Sequence, residues 1–271
     1  MAEGAGATQR RRGAVAQATV LRLLEANPDL GSGLSPEHLA IARRELIVKA
    51  IVLPRAGVDV ERLSRALKPQ LGLLILDGVL LRDVEATGKL TSELLGPGDI
   101  VFPWPPARAL SAIATVSRVT SLTPSRIALL DARFVAMAAR WPTILGEIAG
   151  GSAARVRETA VRLLVTQLVR IEDRVLLTLW ALAERFGRVT ADGVLLPLPL
   201  THRLIGQLVG GTRPTVTTAL GRLARAGTVV RTEQGWLLAG EPPSAIAREG
   251  SDSADPPTGE GDQKPRVMRN P

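Results

Sequence analysis

The chain has 271 residues, 45% of them hydrophobic and 22% charged, with 34 Lys and Arg against 26 Asp and Glu for a formal net charge of +8. This is enough apolar material for one large or two small domains, at roughly 100–200 residues each, and it excludes a wholly disordered chain. The absence of cysteine excludes disulfides, thiolate metal sites, cysteine-ligated iron–sulfur clusters and cysteine nucleophiles, while the two histidines, His38 and His202, lie too far apart in sequence to suggest a metal site or a histidine-dependent hydrolase.

Residues 1–13 are small and polar around Arg10, Arg11 and Arg12, and read as a disordered tail. No apolar h-region follows these arginines, and no stretch in the chain approaches about 18 consecutive apolar residues, so a cytoplasmic protein is expected. From Ala14 to Glu25, Val15, Ala18, Leu21 and Leu24 recur at helical spacing up to Pro28, which predicts a helix within an N-terminal helical segment over 14–44.

From about Glu45 the period shortens. Asp77-Gly78 between the apolar arms Leu71–Leu76 and Val79–Val84 predicts a type I′ hairpin, and Thr87-Gly88 a second turn. The breakers in Glu93–Asp99 and Thr123-Pro124-Ser125 punctuate further strand-like pieces at Ile100-Val101, Ile113–Val119 and Arg126–Leu130, which together predict an antiparallel barrel or jelly roll over about 45–130. After Asp131 helical spacing returns. Val161, Leu164, Leu168, Ile171 and Val175 alternate spacings of three and four, a heptad seam that either packs on its own domain or joins two subunits.

The segment from about Ile171 to Gly240 is the most informative. Arg174–Phe186 reads as a buried helix and Val194–Leu196 as a strand; Thr201 then caps a helix with Leu204, Ile205, Leu208 and Val209 inward, broken by Gly210-Gly211. Thr212 caps the next, which tolerates Pro214 in its first turn and turns Val216, Ala219, Leu220 and Leu223 inward until Gly227. Val229-Val230, a turn at Glu233–Gly235 and Trp236–Leu238 complete a winged helix-turn-helix. The other face of the second helix carries Arg213, Thr217, Thr218, Arg222 and Arg225, and between Thr201 and Arg231 every charged residue apart from His202 is arginine. Such single-sign charge suits a duplex backbone, and hydroxyls at helix N-termini can contact phosphate.

Residues 198–238, LPLTHRLIGQLVGGTRPTVTTALGRLARAGTVVRTEQGWLL, resemble the DNA-binding domain of the Crp/Fnr transcription-factor superfamily. LGLLILDG and ELLGPGDIVFPW are similar to that superfamily's cyclic-nucleotide-binding-type β-roll, and the heptad helix holds the place of its dimerisation helix. The resemblance, spanning about 45–240, implies an α+β fold with a jelly-roll-like β-roll over 45–150, a dimerisation helix over 151–170, a winged helix over 171–240 and a disordered tail over 241–271. It implies a homodimeric bacterial regulator binding an inverted-repeat operator in double-stranded DNA, with RNA polymerase as a possible further partner. Arg213 inherits the base-reading role, Thr201, Thr212 and Thr215 become phosphate contacts, Thr217, Thr218 and Arg222 lie on the same face, and Arg231 on the wing reaches flanking backbone. Val161, Leu164, Leu168 and Ile171 carry dimerisation. The family's cyclic-nucleotide pattern of glutamate followed by R-[ST]-A is not repeated after Phe102, where the chain reads Pro103-Trp104-Pro105-Pro106-Ala107-Arg108-Ala109-Leu110. No cofactor is therefore expected, the effector is unidentified and cyclic AMP is not implied. A cupin-type enzyme would need a metal-binding cluster that the strands lack, whereas a winged helix serving RNA or a protein partner remains an alternative.

Overall fold

The computed structural model describes residues 18–55, 59–102 and 113–243. The arginine-bearing segment 1–13, the first residues of the expected N-terminal helix, the stretch from Pro103 to Leu110 with Trp104 and Arg108, and most of the expected C-terminal tail lie outside these residues.

The chain opens with β1 (Ala18–Arg22), α1 (Leu23–Ala26), a 3-10 turn (Pro28–Gly31) and α2 (Pro36–Glu45). β2 (Ile47–Leu53), α3 (Val60–Leu67), β3 (Leu73–Asp77), β4 (Leu80–Ala86), β5 (Lys89–Leu95), β6 (Ile100–Val101), β7 (Thr115–Ser121) and β8 (Ser125–Leu129) follow. All pairings are antiparallel, in one sheet of order β1-β2-β8-β3-β6 and another of order β5-β4-β7. Side chains of successive strand residues point to opposite faces, so β3, with Leu73 to Leu76 all buried, serves two cores at once. Leu73 and Ile75 meet Leu80, Leu95, Val119 and Ile127 between the sheets, with Val60 of α3 joining them. Leu74 and Leu76 face outward onto Leu23, Leu24, Phe134, Ile144 and Ile148, in a helical layer that covers the five-stranded sheet.

Two sequence expectations are corrected here. Ala18–Arg22 is a strand rather than part of a helix, because each of its five residues finds a partner in β2, from Ala18 opposite Ile51 to Arg22 opposite Ile47. The N-terminal segment therefore contributes an edge strand to the roll. Asp77-Gly78 does not close a hairpin either: β3 pairs with β6 and β8, while β4 pairs with β5 and β7. A type I′ turn needs positive φ at both central residues, and here only Gly78 has it, at 81°. Gly78 instead carries the chain from one sheet to the other, where a Cβ would stand 2.4 Å from the Pro124 carbonyl oxygen. The two-residue hairpin is at Thr87-Gly88, with φ of 51° and 73°, closing β4 on β5 through the Ala86–Lys89 pair.

α4 (Ala132–Ala138) leads to α5 (Pro142–Gln167), which starts nine residues before the expected dimerisation helix and stops at the Leu168 cap. The heptad seam is therefore interrupted. Val161 and Leu164 are exposed on α5, whereas Val175 is fully buried on the next helix, α6 (Ile171–Phe186), and Ile171 packs against the same C-terminal core. β9 (Arg188–Thr190), β10 (Gly193–Leu196), α7 (His202–Val209), α8 (Arg213–Arg225), β11 (Val229–Arg231) and β12 (Trp236–Leu238) complete the winged helix, whose sheet has the order β11-β12-β10-β9.

The winged helix sits on the outer face of the three-stranded sheet, where Val79 and Leu94 enter its core beside Val175, Leu179, Leu208 and Val216. A charge cluster fastens the junction. Arg155 of α5 donates to Glu93 at 2.8 Å and to the Leu94 carbonyl, and Glu93 also pairs with Arg82 at 2.9 Å. Arg185, in the last turn of α6, bridges Asp99 at 2.8 Å and Glu158 at 3.1 Å.

Burial alone would push the Glu93 carboxyl up, but Arg82 and Arg155 together hold it below its ordinary value of 4.5. A carboxylate with a lowered folded-state pKa stabilises the fold above its unfolded value, and that contribution is lost as pH falls through the folded value. Glu93→Gln should therefore destabilise the protein at pH 7 by roughly 2–3 kcal/mol, a little under the cost of breaking a fully buried pair. Urea unfolding at a series of pH values should show the gap between wild type and variant fully open above 4.5 and narrowing below it.

Candidate nucleic-acid interface

The two helices of the helix-turn-helix start on hydroxyl caps. Thr201 Oγ1 accepts from the Leu204 amide at 3.2 Å and fixes the start of α7. At α8 the arrangement is reciprocal: Thr212 Oγ1 accepts from the Thr215 amide at 3.4 Å, and Thr215 Oγ1 accepts from the Thr212 amide at 3.1 Å. Pro214, in the first turn, costs no hydrogen bond because amides there have no intrahelical partner. The turn between the helices is tight. Gly211 donates to the Gly206 carbonyl at 2.8 Å, and a Cβ on Gly206 would stand 2.8 Å from the Gly211 oxygen, so α7 needs glycine at that crossing.

Below this turn α8 buries Val216, Ala219, Leu220 and Leu223 on α6 and α7, which leaves Arg213, Thr215, Thr217 and Thr218 exposed at its N-terminal end. Arg213 is the first residue of the helix, and it forms no ion pair or hydrogen bond through its guanidinium with other described residues. It lines an open cleft with Leu200, Thr201, His202, Arg203, Arg231 and Trp236, where the starts of α7 and α8 meet the base of the wing. Three arginines and no carboxylate line this cleft, and the exposed amide ends of two helices add partial positive charge.

The other candidate residues are placed differently from one another. Thr217 and Thr218 turn their hydroxyls onto the Arg213 and Pro214 carbonyls one turn back, at 2.9 and 3.2 Å, and the Thr217 hydroxyl also meets His202 Nδ1 at 2.9 Å. Arg222 lies further along α8 and pairs with Glu172 in the first turn of α6. The backbone amide of Glu172 itself and the Arg222 guanidinium hold that carboxyl below the usual range. Arg222 thus braces α8 against α6, a role the arginine pattern alone did not show. Arg231 lies 4.8 Å over the Trp236 ring and donates to the Leu200 carbonyl at 3.2 Å, so its side chain is fixed at the mouth of the cleft. Sequence reasoning passed over His202 because a lone histidine at a helix start carries no pattern.

Of the expected dimerisation residues, Val161 and Leu164 lie together on α5, 56% and 69% exposed, while Leu168 caps that helix and Ile171 belongs to the winged-helix core.

Residues 173–238 match the family model of the Crp-like helix-turn-helix domain. Over 86 residues the chain is 36% identical to the regulatory protein CysR of Synechococcus elongatus, covering 31% of this chain and 42% of CysR, so the likeness spans less than half of that relative. Two solved structures share the fold more broadly. FixK2 from Bradyrhizobium japonicum superposes with a TM-score of 0.52 at 17% identity, covering 72% of this chain and 94% of its own. A CooA variant from Carboxydothermus hydrogenoformans gives 0.52 at 15% identity over 72% and 84%. Residues 173–238 thus match a Crp-like helix-turn-helix domain, and the chain shares with FixK2 and CooA a fold of β-roll, long helix and C-terminal winged helix.

Proposed function

We propose that the protein is a transcriptional regulator that binds double-stranded DNA as a homodimer, with α8 entering the major groove and Arg213 reading a base there. The carrying observation is the acid-free face of α7 and α8, on which Arg213 stands at a helix N-terminus with no guanidinium partner among the described residues, in a domain of Crp-like type. An arginine fork can donate two bonds to guanine O6 and N7, worth about 1–3 kcal/mol of discrimination against another base. Thr201, Thr212 and Thr215 surround it at the two helix starts, where a phosphate would meet hydroxyls and backbone amides together.

The homodimer in this reading forms through α5, whose Val156, Val161, Leu163 and Leu164 are 70%, 56%, 61% and 69% exposed. Four large apolar side chains this open on one helix are best satisfied by the same helix of a second copy. A two-fold axis along α5 would place the two α8 helices in successive major grooves about 34 Å apart and call for an inverted-repeat operator. Any effector would be one other than cyclic AMP, since the glutamate and arginine pattern of that ligand's site is missing from the sequence after Phe102.

Selection of bound duplexes from a random-sequence pool by the full-length protein should enrich an inverted repeat with half-sites about one helical turn apart. Equal capture of single strands and duplex without any enriched sequence would sink the reading in favour of an RNA-binding or protein-binding winged helix. Arg213→Ala should weaken binding of the selected duplex about tenfold or more while leaving mixed-sequence duplex within about threefold, the difference being the lost base contact. Leu164→Glu places a charge on an already exposed site, so it should leave the helical circular dichroism unchanged and shift the protein from dimer to monomer in sedimentation equilibrium, with loss of most affinity for the two-half-site duplex.

A further inference from the structure

The cleft at the start of α8 holds an imidazole. His202, the first residue of α7, is half-buried, with its ring 5.9 Å from that of Trp236 and its Nδ1 2.9 Å from the Thr217 hydroxyl. The direction of this last bond follows from its neighbour. Thr217 Oγ1 lies 2.9 Å from the Arg213 carbonyl, which can only accept, so the single hydroxyl proton is committed there. Thr217 must then accept from His202, and the proton of a neutral imidazole resides on Nδ1. Nε2 is left with a lone pair and makes no hydrogen bond among the described residues.

The charges around the ring have one sign. From α7 comes Arg203, from α8 Arg213 with Thr217, from β11 Arg231 and from β12 Trp236, while Leu200 and Thr201 lead into the cleft. Among the described residues the cleft thus offers an imidazolium no counter-charge. A duplex phosphate entering the cleft would supply one, and a protonated Nε2 would give it a charge-assisted hydrogen bond.

We propose that His202 is a proton-linked phosphate contact: held by Thr217 through Nδ1, it takes up a proton from solvent at Nε2 when a DNA phosphate occupies the cleft. This rests on the reading of the winged helix as a duplex-binding domain. Because binding and protonation favour each other, affinity rises as pH falls, by at most one proton per occupied cleft. Through Thr217 and its bond to the Arg213 carbonyl, the same imidazole also steadies the first turn of α8, so His202 acts as a positioning residue for Arg213.

The test uses full-length protein and a fluorescein-labelled mixed-sequence duplex, for which phosphate contacts suffice, at low salt from pH 8 to pH 6. Wild type should bind about three- to tenfold tighter at pH 6 than at pH 8, the size expected for one added charge contact to phosphate. His202→Gln should lose this gain, leaving only the slope of groups elsewhere, such as His38, which packs against Trp141 in the helical layer of the roll. His202→Arg, charged at every pH used, should bind tightly at both ends of the range, which also shows that the site tolerates substitution. An equal pH slope in wild type and His202→Gln would overturn the proposal while leaving duplex binding intact. Absence of duplex binding by wild type at every pH would overturn the DNA-binding reading, and this inference with it.

Discussion

Arg82, Arg155 and Arg185 meet Glu93, Asp99 and Glu158 where β5, α5 and α6 converge, and the placement of the winged helix on the roll depends on this cluster. The partly buried charges there bear a desolvation cost that their partners offset. Glu93 needs both Arg82 and Arg155; Asp99 accepts from the Gly96 amide as well as from Arg185; Glu158 serves Arg155 and Arg185 together. Apolar contacts close around the charges. Leu94 of β5 joins the winged-helix core, and Phe186, immediately after Arg185, lies so close over Gly96 that a Cβ there would stand 2.4 Å from its ring. The cluster is therefore shared: Glu93, Arg155, Arg185 and Glu158 each serve two partners, so losing one member weakens the pairing of its neighbours.

At the other end of the same domain, order is imposed by hydroxyls. Thr212 and Thr215 exchange hydrogen bonds at the start of α8, Pro214 stiffens the next position, and Thr217 ties the first turn to His202 on α7. Arg213 is consequently held at its backbone, while its guanidinium makes no bond among the described residues. The five arginines between Thr201 and Arg231 divide accordingly. Arg222 braces α8 on Glu172, Arg225 donates back to the Gly221 carbonyl, and Arg231 rests on Trp236; the guanidinium groups of Arg203 and Arg213 make no hydrogen bond or ion pair among the described residues. A backbone fixed before binding loses less conformational entropy on meeting its partner.

Much of the winged helix was legible in the sequence because its signals are local. A hydroxyl cap, a terminating glycine and a 3.6-residue period act within one helix, and α7 and α8 begin and end where those residues stand. The roll was legible as a set of strands but not as a topology. Asp77-Gly78 looks like a hairpin turn in sequence, yet which strands pair is decided by distant partners: Ile127 and Ala128 take β3, and Ser117 to Ser121 take β4. The same applies to β1, whose helical spacing is overridden by β2. At the site, the period that links Val161 to Val175 could not show that the backbone leaves helical geometry at Leu168, nor could a run of arginines show which one would find Glu172.

The helix break also determines how the two halves of that seam divide their work. α5 leaves Val161, Leu163 and Leu164 exposed, whereas α6 turns Val175, Leu179 and Trp180 into the winged-helix core. Between them Leu168 to Arg170 form the chain connection, with Val169 93% exposed and the Leu168 carbonyl held by Arg174 at 2.5 Å. The first turn of α6 then touches the helix-turn-helix twice. Ile171 lies where a Cβ on Gly211 would come within 2.9 Å of it, at the turn between α7 and α8, and Glu172 holds Arg222 on α8 itself. A rotation of α6 about this short link would carry α7 and α8 with it as one packed unit, and it would have to break the bonds of Arg185 to Asp99 and Glu158 at the helix's far end. The geometry thus joins the helix proposed for dimerisation to the helix proposed for base reading through a single element, anchored at one end by charge and at the other by packing.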